Sequence, residues 1–180
     1  SAIYSVGLND WFSELLIDSG FENVQNIVVL SWNHHMPKSE VLDPQILIRP
    51  MEYADIPEVA TVDAAAFEPI WVNSSEKINM AYEQSEHSSV AEVDGQIIAC
   101  ELSTANNYSA HLARIAVDPR FQKKGIASNI IVEMFKYFNR RGIHEITVNT
   151  QDNNISSLAL YNSLGFQLTG EKYPVFRFSI

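Results

Sequence analysis

Hydrophobic positions along this chain follow the spacing of helices in some stretches and of strands in others. From residue 45 onward the pattern predicts the order β-α-α-β-β-β-α-β-α-β-β, an α/β arrangement that mixes hairpins with crossover helices. The predicted elements are a strand at 45–50, helices at 55–67 and 76–86, a hairpin turning at 94–95, a strand at 111–117, a helix at 125–140, a strand at 144–150, a helix at 154–164, and closing strands at 165–170 and 174–180.

Turn and cap residues support these boundaries. Asp94-Gly95 joins two apolar runs and suits a type I′ hairpin turn. Asp55 followed by Glu58 has the pattern of a capping box, and Ser74 or Ser75 is a cap candidate for the next helix. The helix at 125–140 carries one apolar stripe, which consists of Ile126, Ile130, Met134 and Phe138.

The first 44 residues predict a helix at 9–20, a strand at 25–32 and a polar linker at 33–44. This helix, its Gly-Phe dipeptide and the strand follow one another as they do at the end of the chain. Gly20-Phe21 thereby matches Gly165-Phe166, and Leu16 matches Tyr161. A weak internal repeat indicates duplication. We therefore divide the chain into an N-terminal extension at 1–44, interpreted as a remnant of a truncated second copy, and a main domain at 45–180.

Composition narrows the classes of function. The chain has 46% hydrophobic and 19% charged residues, which is ordinary for a globular protein. Its 12 basic and 22 acidic residues give a net charge of −10, which argues against nucleic acid as a partner and suits a cationic or amine substrate. An acidic surface also serves solubility alone.

Apolar runs and cysteine content bear on the location of the protein. No apolar run reaches the roughly 20 residues of a membrane helix, and no signal peptide is recognisable. The single cysteine, Cys100, excludes an internal disulfide and fits a cytoplasmic location, where it is expected to be a small buried side chain. We predict no membrane partner, and a homodimer is compatible with the sequence.

The stretch "VDPRFQKKGIA" carries the first candidate chemistry. A strand that enters a helix through a glycine-bearing loop presents backbone N–H groups and the positive end of the helix dipole, which together bind phosphate. Arg114, Arg120, Lys123 and Lys124 surround this loop and add positive charge. The alternative is a surface connection with solvated lysines. The chain has neither a Walker A pattern nor a dinucleotide fingerprint.

Two segments together resemble the GNAT acetyltransferase superfamily. The loop resembles its acyl-CoA signature, V-x-P followed by [QR]-x-x-G-x-[GA], and "NNISSLALYNSLGF" resembles its N-x-x-[AS]-x-x-L-Y-x-x-x-G-F segment. The residues in register are Gln122, Gly125, Ala127, Asn154, Ser157, Leu160, Tyr161 and Gly165-Phe166. The resemblance covers residues 45–180 and implies the GNAT fold: a mixed, mostly antiparallel central sheet flanked by helices, here with an N-terminal helix-strand extension.

The resemblance implies an acetyl-CoA-dependent N-acetyltransferase that moves the acetyl group directly to a primary amine. The strand residues Ile115, Ala116 and Val117 would pair with the pantetheine arm. Asn154 would bond the pantetheine amide region with Ser157 beside it, and Tyr161 would lie near the sulfur and protonate the leaving thiolate as general acid. The pyrophosphate would be held by the loop residues Gln122, Lys123, Lys124, Gly125, Ile126, Ala127 and Ser128.

The general base is less determined. Glu101 and His111 are the two candidates, and a water chain without a dedicated base is a third interpretation. The N–H of Val117 is the candidate for stabilising the developing oxyanion. Tyr161 is alternatively a core aromatic, and Phe67, Trp71 and Tyr108 either shape the acceptor pocket or belong to the core.

Two other classes of function stay open. The chain is alternatively a non-catalytic CoA-binding regulatory module, or a structural GNAT-like domain whose loop binds nothing. No metal is expected, because the side chains of the adjacent His34 and His35 diverge and no further ligand has a suitable spacing nearby.

Overall fold

The computed structural model describes residues 2–39 and 41–180, so Ser1 and Glu40, which belong to the predicted N-terminal extension and its linker, lie outside the described residues. The described residues divide into two compact units. The central unit comprises 34–146, and the terminal unit comprises 2–33 together with 147–180.

The central unit is an antiparallel sheet covered by helices on both faces. Its strands follow the order β3-β4-β5-β6. Cys100 packs against α2 and α3 while its neighbour Ala99 packs against α4, and neighbouring strand residues point to opposite faces. The bounds are β3 Leu47–Pro50, α2 Ile56–Ala66, α3 Ser75–Gln84, β4 His87–Val93, β5 Gln96–Ala105, β6 Ser109–Val117 and α4 Ile126–Arg140.

Most local predictions for this unit are confirmed. Asp94 and Gly95 both have positive φ, 50° and 77°, as a type I′ turn requires. Ser74 caps α3 by accepting the N–H of Lys77. The predicted stripe of α4 is buried, with each of its four side chains at most 2% exposed, and each contributes about 1.5–3 kcal/mol of apolar burial.

The predicted capping box of α2 is wrong. Asp55 makes no side-chain cap bond to α2. The box lies one turn earlier, between Glu52 and Asp55, around a short 3-10 turn. Asp55 is held there by Arg49, whose Nη1 and Nη2 lie 2.7 and 2.9 Å from its oxygens. A partner from the preceding strand therefore decides the role of this carboxylate.

In the terminal unit, four antiparallel strands follow the order β1-β8-β2-β7. The second strand of the chain, β2, lies between β8 and β7. The bounds are β1 Ala2–Val6, α1 Asp10–Asp18, β2 Glu22–Trp32, β7 Glu145–Gln151, α5 Ile155–Ser163 and β8 Phe166–Ser179.

The prediction of two closing strands is wrong, because β8 is one strand of 14 residues that runs through Gly170 and Pro174. β2 pairs with it from Trp32 opposite Phe166 to Glu22 opposite Arg177, and two register shifts interrupt the pairing. β1 covers the far end, where Gly7 N donates to Pro174 O at 2.8 Å. Partners on both sides therefore supply backbone bonds that the local sequence does not reveal.

The terminal unit consists of two copies of one strand-helix-strand arrangement, β1-α1-β2 and β7-α5-β8. The first strand of each copy pairs with the second strand of the other, and the two second strands pair with each other. Both helices have nine residues and are followed by a glycine of positive φ, Gly20 at 86° and Gly165 at 89°. This geometry extends the repeat seen in the sequence by one strand, β1, which the sequence analysis missed.

Candidate active site

The loop between β6 and α4 presents the N-terminus of α4 without a side-chain cap. Gly125 is the N-cap residue, with φ 74°, and makes no side-chain cap bond. The first backbone bond of the helix runs from Asn129 N to Gly125 O at 3.0 Å. The N–H groups before Asn129 therefore have no intrahelical acceptor, and the helix dipole adds positive potential at the same place. Such an end binds anions.

Two of the four basic residues predicted around this loop are held in ion pairs. The guanidinium of Arg114 is bonded to Asp63 at 2.6 Å, and that of Arg120 is bonded to Asp118 at 2.7 Å. Both arginines thus have a carboxylate partner within the protein. In the part of the chain that the structure describes, the exposed Lys123 and Lys124 form no ion pair. These two lysines remain for a phosphate.

β6 pairs with β5 in the central unit, and two of the three predicted pantetheine residues turn their backbone groups away from β5. Asp118 N donates to Ile98 O of β5 at 2.9 Å. Because backbone groups alternate along an antiparallel strand, the N–H and C=O of Val117 and Ile115 point away from β5, while those of Ala116 face it. Gln122 Nε2 donates to Val117 O at 3.1 Å and so ties the loop to the strand end.

Glu101 lies in a closed network under α4. Its side chain has no exposed surface. Oε2 is bonded to His87 Nδ1 at 2.7 Å and accepts from Ser89 at 3.2 Å, and Oε1 accepts from Ser103. Ser103 also contacts Met134 of α4. Among its bonded partners, His87 is the most exposed, with 14% of its side chain accessible to solvent.

His111 lies on the opposite face of the sheet from Glu101. It stands opposite Thr104, whereas Arg114 stands opposite Leu102, and the register shift between these pairs puts both side chains on the face of α2. The imidazole is half-buried, and burial lowers its pKa below the ordinary value of 6.5. Burial thus favours the neutral form of the ring.

The aromatic residues expected near the acceptor separate into two groups. The Phe67 ring lies 3.5 Å from the guanidinium carbon of Arg114, and the carbonyl of Trp71 accepts from the same guanidinium at 2.7 Å. Tyr108 is 82% exposed, in the turn between β5 and β6. Arg114 thus brings Phe67 and Trp71 together on the face of His111, a role that the sequence analysis missed. The available signal was Asp63, a lone acidic residue in the apolar stretch "ATVDAAAF".

The second motif begins α5 in the terminal unit. Asn154 is the N-cap, and its Oδ1 accepts the N–H of Ser157 at 3.1 Å and the hydroxyl of Ser156 at 3.0 Å. Tyr161 is the buried residue of α5, 4% exposed, and its ring centroid lies 5.6 Å from that of Phe166. Both motif residues therefore have structural partners beside any role toward a ligand.

Other properties of the described residues bear on the requirements of a cysteine nucleophile, a metal site and a membrane-spanning helix. Burial raises the pKa of Cys100 to about 12, so its thiol stays protonated and is a poor nucleophile. Within residues 2–39 and 41–180 no three His, Cys, Asp or Glu side chains are grouped to hold a metal ion. No helix within those residues is long and apolar enough to cross a membrane.

Each unit also has an open cleft. The cleft of the terminal unit, about 540 Å³, lies at the start of α1 beside Lys172 and Tyr173. The cleft of the central unit, about 410 Å³, lies between α2 and the turn at 118–120. Neither cleft contains Glu101, His111 or Tyr161.

The sequence and the fold both match known proteins. Residues 56–166 match the profile of the acetyltransferase (GNAT) family. The ribosomal protein bS18-alanine N-acetyltransferase of Escherichia coli (strain K12) is 29% identical over 73 residues, which are 41% of this chain and 49% of that protein. The matched part of the chain thus spans about half the length of this curated relative.

Two solved structures share the fold over nearly the whole chain. A GCN5-related N-acetyltransferase from Sphaerobacter thermophilus superposes with a TM-score of 0.76 at 17% identity, covering 98% of this chain and 59% of that one. A tandem GNAT protein from the clavulanic acid biosynthesis pathway gives 0.73 at 9% identity, covering 98% and 63%. These identities establish the fold alone, and the predicted fold class, a mixed, mostly antiparallel central sheet flanked by helices, is confirmed.

Proposed function

Because the chain belongs to the acetyltransferase (GNAT) family, we propose that it transfers an acetyl group from acetyl-CoA directly to a primary amine. The observation that carries the proposal is the start of α4, where backbone N–H groups precede the first helical bond and Lys123 and Lys124 add charge. The diphosphate of CoA is an anion that such a helix end stabilises. The outward N–H and C=O groups of Ile115 and Val117 would hold the pantetheine amides beside it.

Acetyl-CoA supplies the acetyl thioester, and residues of this chain orient it and move protons. Val117 N–H is proposed to stabilise the negative charge that develops on the thioester oxygen. Tyr161 is proposed to donate the proton that the departing thiolate needs. Asn154 uses its Oδ1 for the helix cap, which leaves its amide N–H groups to donate to a pantetheine carbonyl, next to Ser157.

Two residues remain candidates for the base, and the observations favour His111 over Glu101. A neutral imidazole accepts a proton, and burial shifts the pKa of His111 in the direction that favours this neutral form. Glu101 has both oxygens bonded within the protein and no exposed surface. For Glu101 to serve, the amine's proton would have to pass through a bonded partner, of which His87 is the most exposed.

The acceptor is proposed to be an amine on a peptide or small molecule. The Escherichia coli relative is named for acetylating an alanine of ribosomal protein bS18. We therefore take a protein α-amine as the first acceptor to test. Partners among nucleic acids or membranes are not expected at a net charge of −10. A cytoplasmic location and a homodimer remain predictions.

We keep residues 45–180 as the proposed catalytic domain and 1–44 as the proposed remnant of a tandem copy. The structural support for the second copy is that β1-α1-β2 repeats the arrangement of β7-α5-β8, with β2 and β8 paired to each other. A solved relative of the same fold is described as a tandem GNAT protein. The remnant has Leu16 where the other copy has Tyr161, so its proposed role is structural.

A second candidate function is a CoA-binding module without catalysis, and the closed network around Glu101 favours it. Two measurements separate the hypotheses. Calorimetry with acetyl-CoA tests whether the loop before α4 binds the coenzyme. If no heat of binding is measured at high micromolar acetyl-CoA, only a structural role is left for the domain. A screen of amines and of peptides with a free N-terminus, read as release of CoA thiol, tests catalysis. Binding without release for every acceptor would favour the module.

A further inference from the structure

Arg114 and Asp63 form a buried ion pair that joins the last turns of α2 to β6. Arg114 Nε lies 2.6 Å from Asp63 Oδ1, and Arg114 Nη2 lies 2.8 Å from Oδ2. The Asp63 side chain has no exposed surface, and that of Arg114 is 16% exposed. The pair is bidentate, so it fixes the orientation of the guanidinium plane as well as its position.

The same two side chains hold the connection from α2 to α3. We call residues 67–73 the acceptor segment. Its start is the ring of Phe67, stacked 3.5 Å from the guanidinium carbon. Its middle is Trp71, whose carbonyl accepts from Arg114 Nη2 at 2.7 Å, and its end is Asn73, whose N–H donates to Asp63 Oδ2 at 2.8 Å. Start, middle and end of the segment therefore depend on one ion pair.

The acceptor segment lies on the face of the sheet that carries His111. Arg114 and His111 share this face because of the register shift in β6, and the outward N–H of Val117 follows along the same strand. Neither Arg114 nor Asp63 is left with a free charge for a substrate, because each is satisfied by the other and by backbone groups. Their effect on a reaction here would be exerted through the segment that they hold.

We propose that Arg114, through its bidentate pair with Asp63, is a positioning residue that sets the shape of the acceptor segment and thereby the affinity for the amine acceptor. The proposal rests on the proposed acetyltransferase function. It assigns specificity for the acceptor to a buried pair, and it separates acceptor binding from acetyl-CoA binding, which is proposed to use the start of α4. Lysine cannot replace this arginine, because an ammonium group lacks the planar fork that reaches Asp63 and Trp71 together.

The test compares Arg114→Lys with a matched control, Arg49→Lys. Arg49 also makes a bidentate pair, with Asp55 at 2.7 and 2.9 Å, but at the start of α2 rather than at the acceptor segment. The probe is a synthetic peptide with a free N-terminal alanine. We expect Arg114→Lys to raise the KM for this peptide about tenfold or more, with the Kd of acetyl-CoA within about twofold of the parent. Arg49→Lys should leave the peptide KM within about twofold.

Hydrogen exchange provides a readout that does not need activity. In Arg114→Lys the amide N–H groups of 67–73 should exchange faster, with Asn73 foremost, while α4 and β5 stay protected. Unchanged exchange in this segment, or an equal rise of peptide KM in Arg49→Lys, would overturn the proposal. If the parent protein acetylates no peptide or amine, the proposed function fails, and the exchange result alone decides whether the pair holds the segment.

A second variant, Asp63→Asn, tests the proposal if Arg114→Lys does not fold. Asp63→Asn has nearly the same shape as the parent side chain and removes the charge that orients Arg114. If Arg114→Lys does not fold, Asp63→Asn is expected to give the same faster exchange at Asn73 and the same rise of peptide KM. Parent-like values for both in a folded Asp63→Asn would count against the positioning role.

Discussion

The terminal unit contains two copies of one backbone arrangement, and only one of them carries the groups proposed for chemistry. β1-α1-β2 and β7-α5-β8 share the helix length, the glycine of positive φ after each helix and a single buried helix position. That position is Leu16 in the first copy and Tyr161 in the second. Features present in both copies, such as the glycine after the helix, are those that the backbone arrangement requires. The tyrosine occurs in one copy only, so the backbone arrangement does not require it.

The largest difference should follow from the buried helix position. Tyr161→Phe keeps the ring that packs on Phe166 and removes only the hydroxyl, so we expect kcat to fall about 100-fold or more while the Kd of acetyl-CoA stays within about twofold. Leu16→Met in the other copy is the control and should leave kcat unchanged. Single-turnover kinetics and calorimetry measure the two quantities. A Tyr161→Phe enzyme with parent kcat would remove Tyr161 from the mechanism.

The two helix-ending glycines should differ in how much they tolerate a side chain. Gly20→Ala is expected to cost about 1–2 kcal/mol of unfolding free energy, because its φ of 86° strains any other residue and its nearest neighbour lies at an ordinary 3.5 Å. Gly165→Ala should cost about 1 kcal/mol more, since its new Cβ would lie 2.6 Å from Asn33 Oδ1. Urea unfolding of both variants measures this. Equal losses would mean that Asn33 moves aside freely.

Replacing the two N-cap asparagines by alanine should change the unfolding free energy by amounts that differ less than those of the two glycines. Asn154 accepts the N–H of Ser157, so Asn154→Ala is expected to lower the unfolding free energy by about 1 kcal/mol. Asn9 makes no side-chain cap bond, so Asn9→Ala should cost a few tenths of a kcal/mol, roughly. Denaturant midpoints without acetyl-CoA isolate this effect from ligand binding. A loss at Asn9 as large as that at Asn154 would show that the caps are equivalent in solution.

The smallest expected difference between the two copies is in how their stability depends on pH. Hydrogen bonds from Asn26 lower the pKa of Asp152 below 3.8, whereas the first copy has the non-titrating Gly7 at the matching place. A carboxyl group whose pKa is lowered by folding adds stability above its unfolded pKa, and that stability is lost as the pH falls through the folded value. The stability gap between the parent and Asp152→Asn should therefore narrow below about pH 4. A gap that is constant from pH 7 to 3 would contradict this assignment.

Local patterns predicted those elements that local residues determine. The hairpin at Asp94-Gly95, the apolar stripe of α4 and the cap at Ser74 all depend on residues close in sequence, and all are confirmed. The motif residues on the α4 loop and on α5 were likewise readable, because a positive-φ glycine and a helix start leave a local signature.

Long-range contacts explain what the sequence did not reveal. β1 was missed because its partner β8 lies at the other end of the chain, and β8 was split because Gly170 and Pro174 are local breakers. The pair of Arg114 and Asp63 joins residues far apart in sequence. The burial of Glu101 follows from His87 and Ser89 on the neighbouring strand, and the face of His111 follows from a register shift. Of these contacts, only the pair of Arg114 and Asp63 had a local signal, the lone acidic residue in an apolar stretch.

The central claim is that backbone N–H groups at the start of α4 bind the diphosphate of coenzyme A, and a crystal structure with acetyl-CoA tests it most directly. We predict diphosphate oxygens within hydrogen-bond distance of N–H groups between Gln122 and Ser128, with the pantetheine arm along Ile115 and Val117. Coenzyme bound elsewhere, with that helix start still holding only water, would contradict the account.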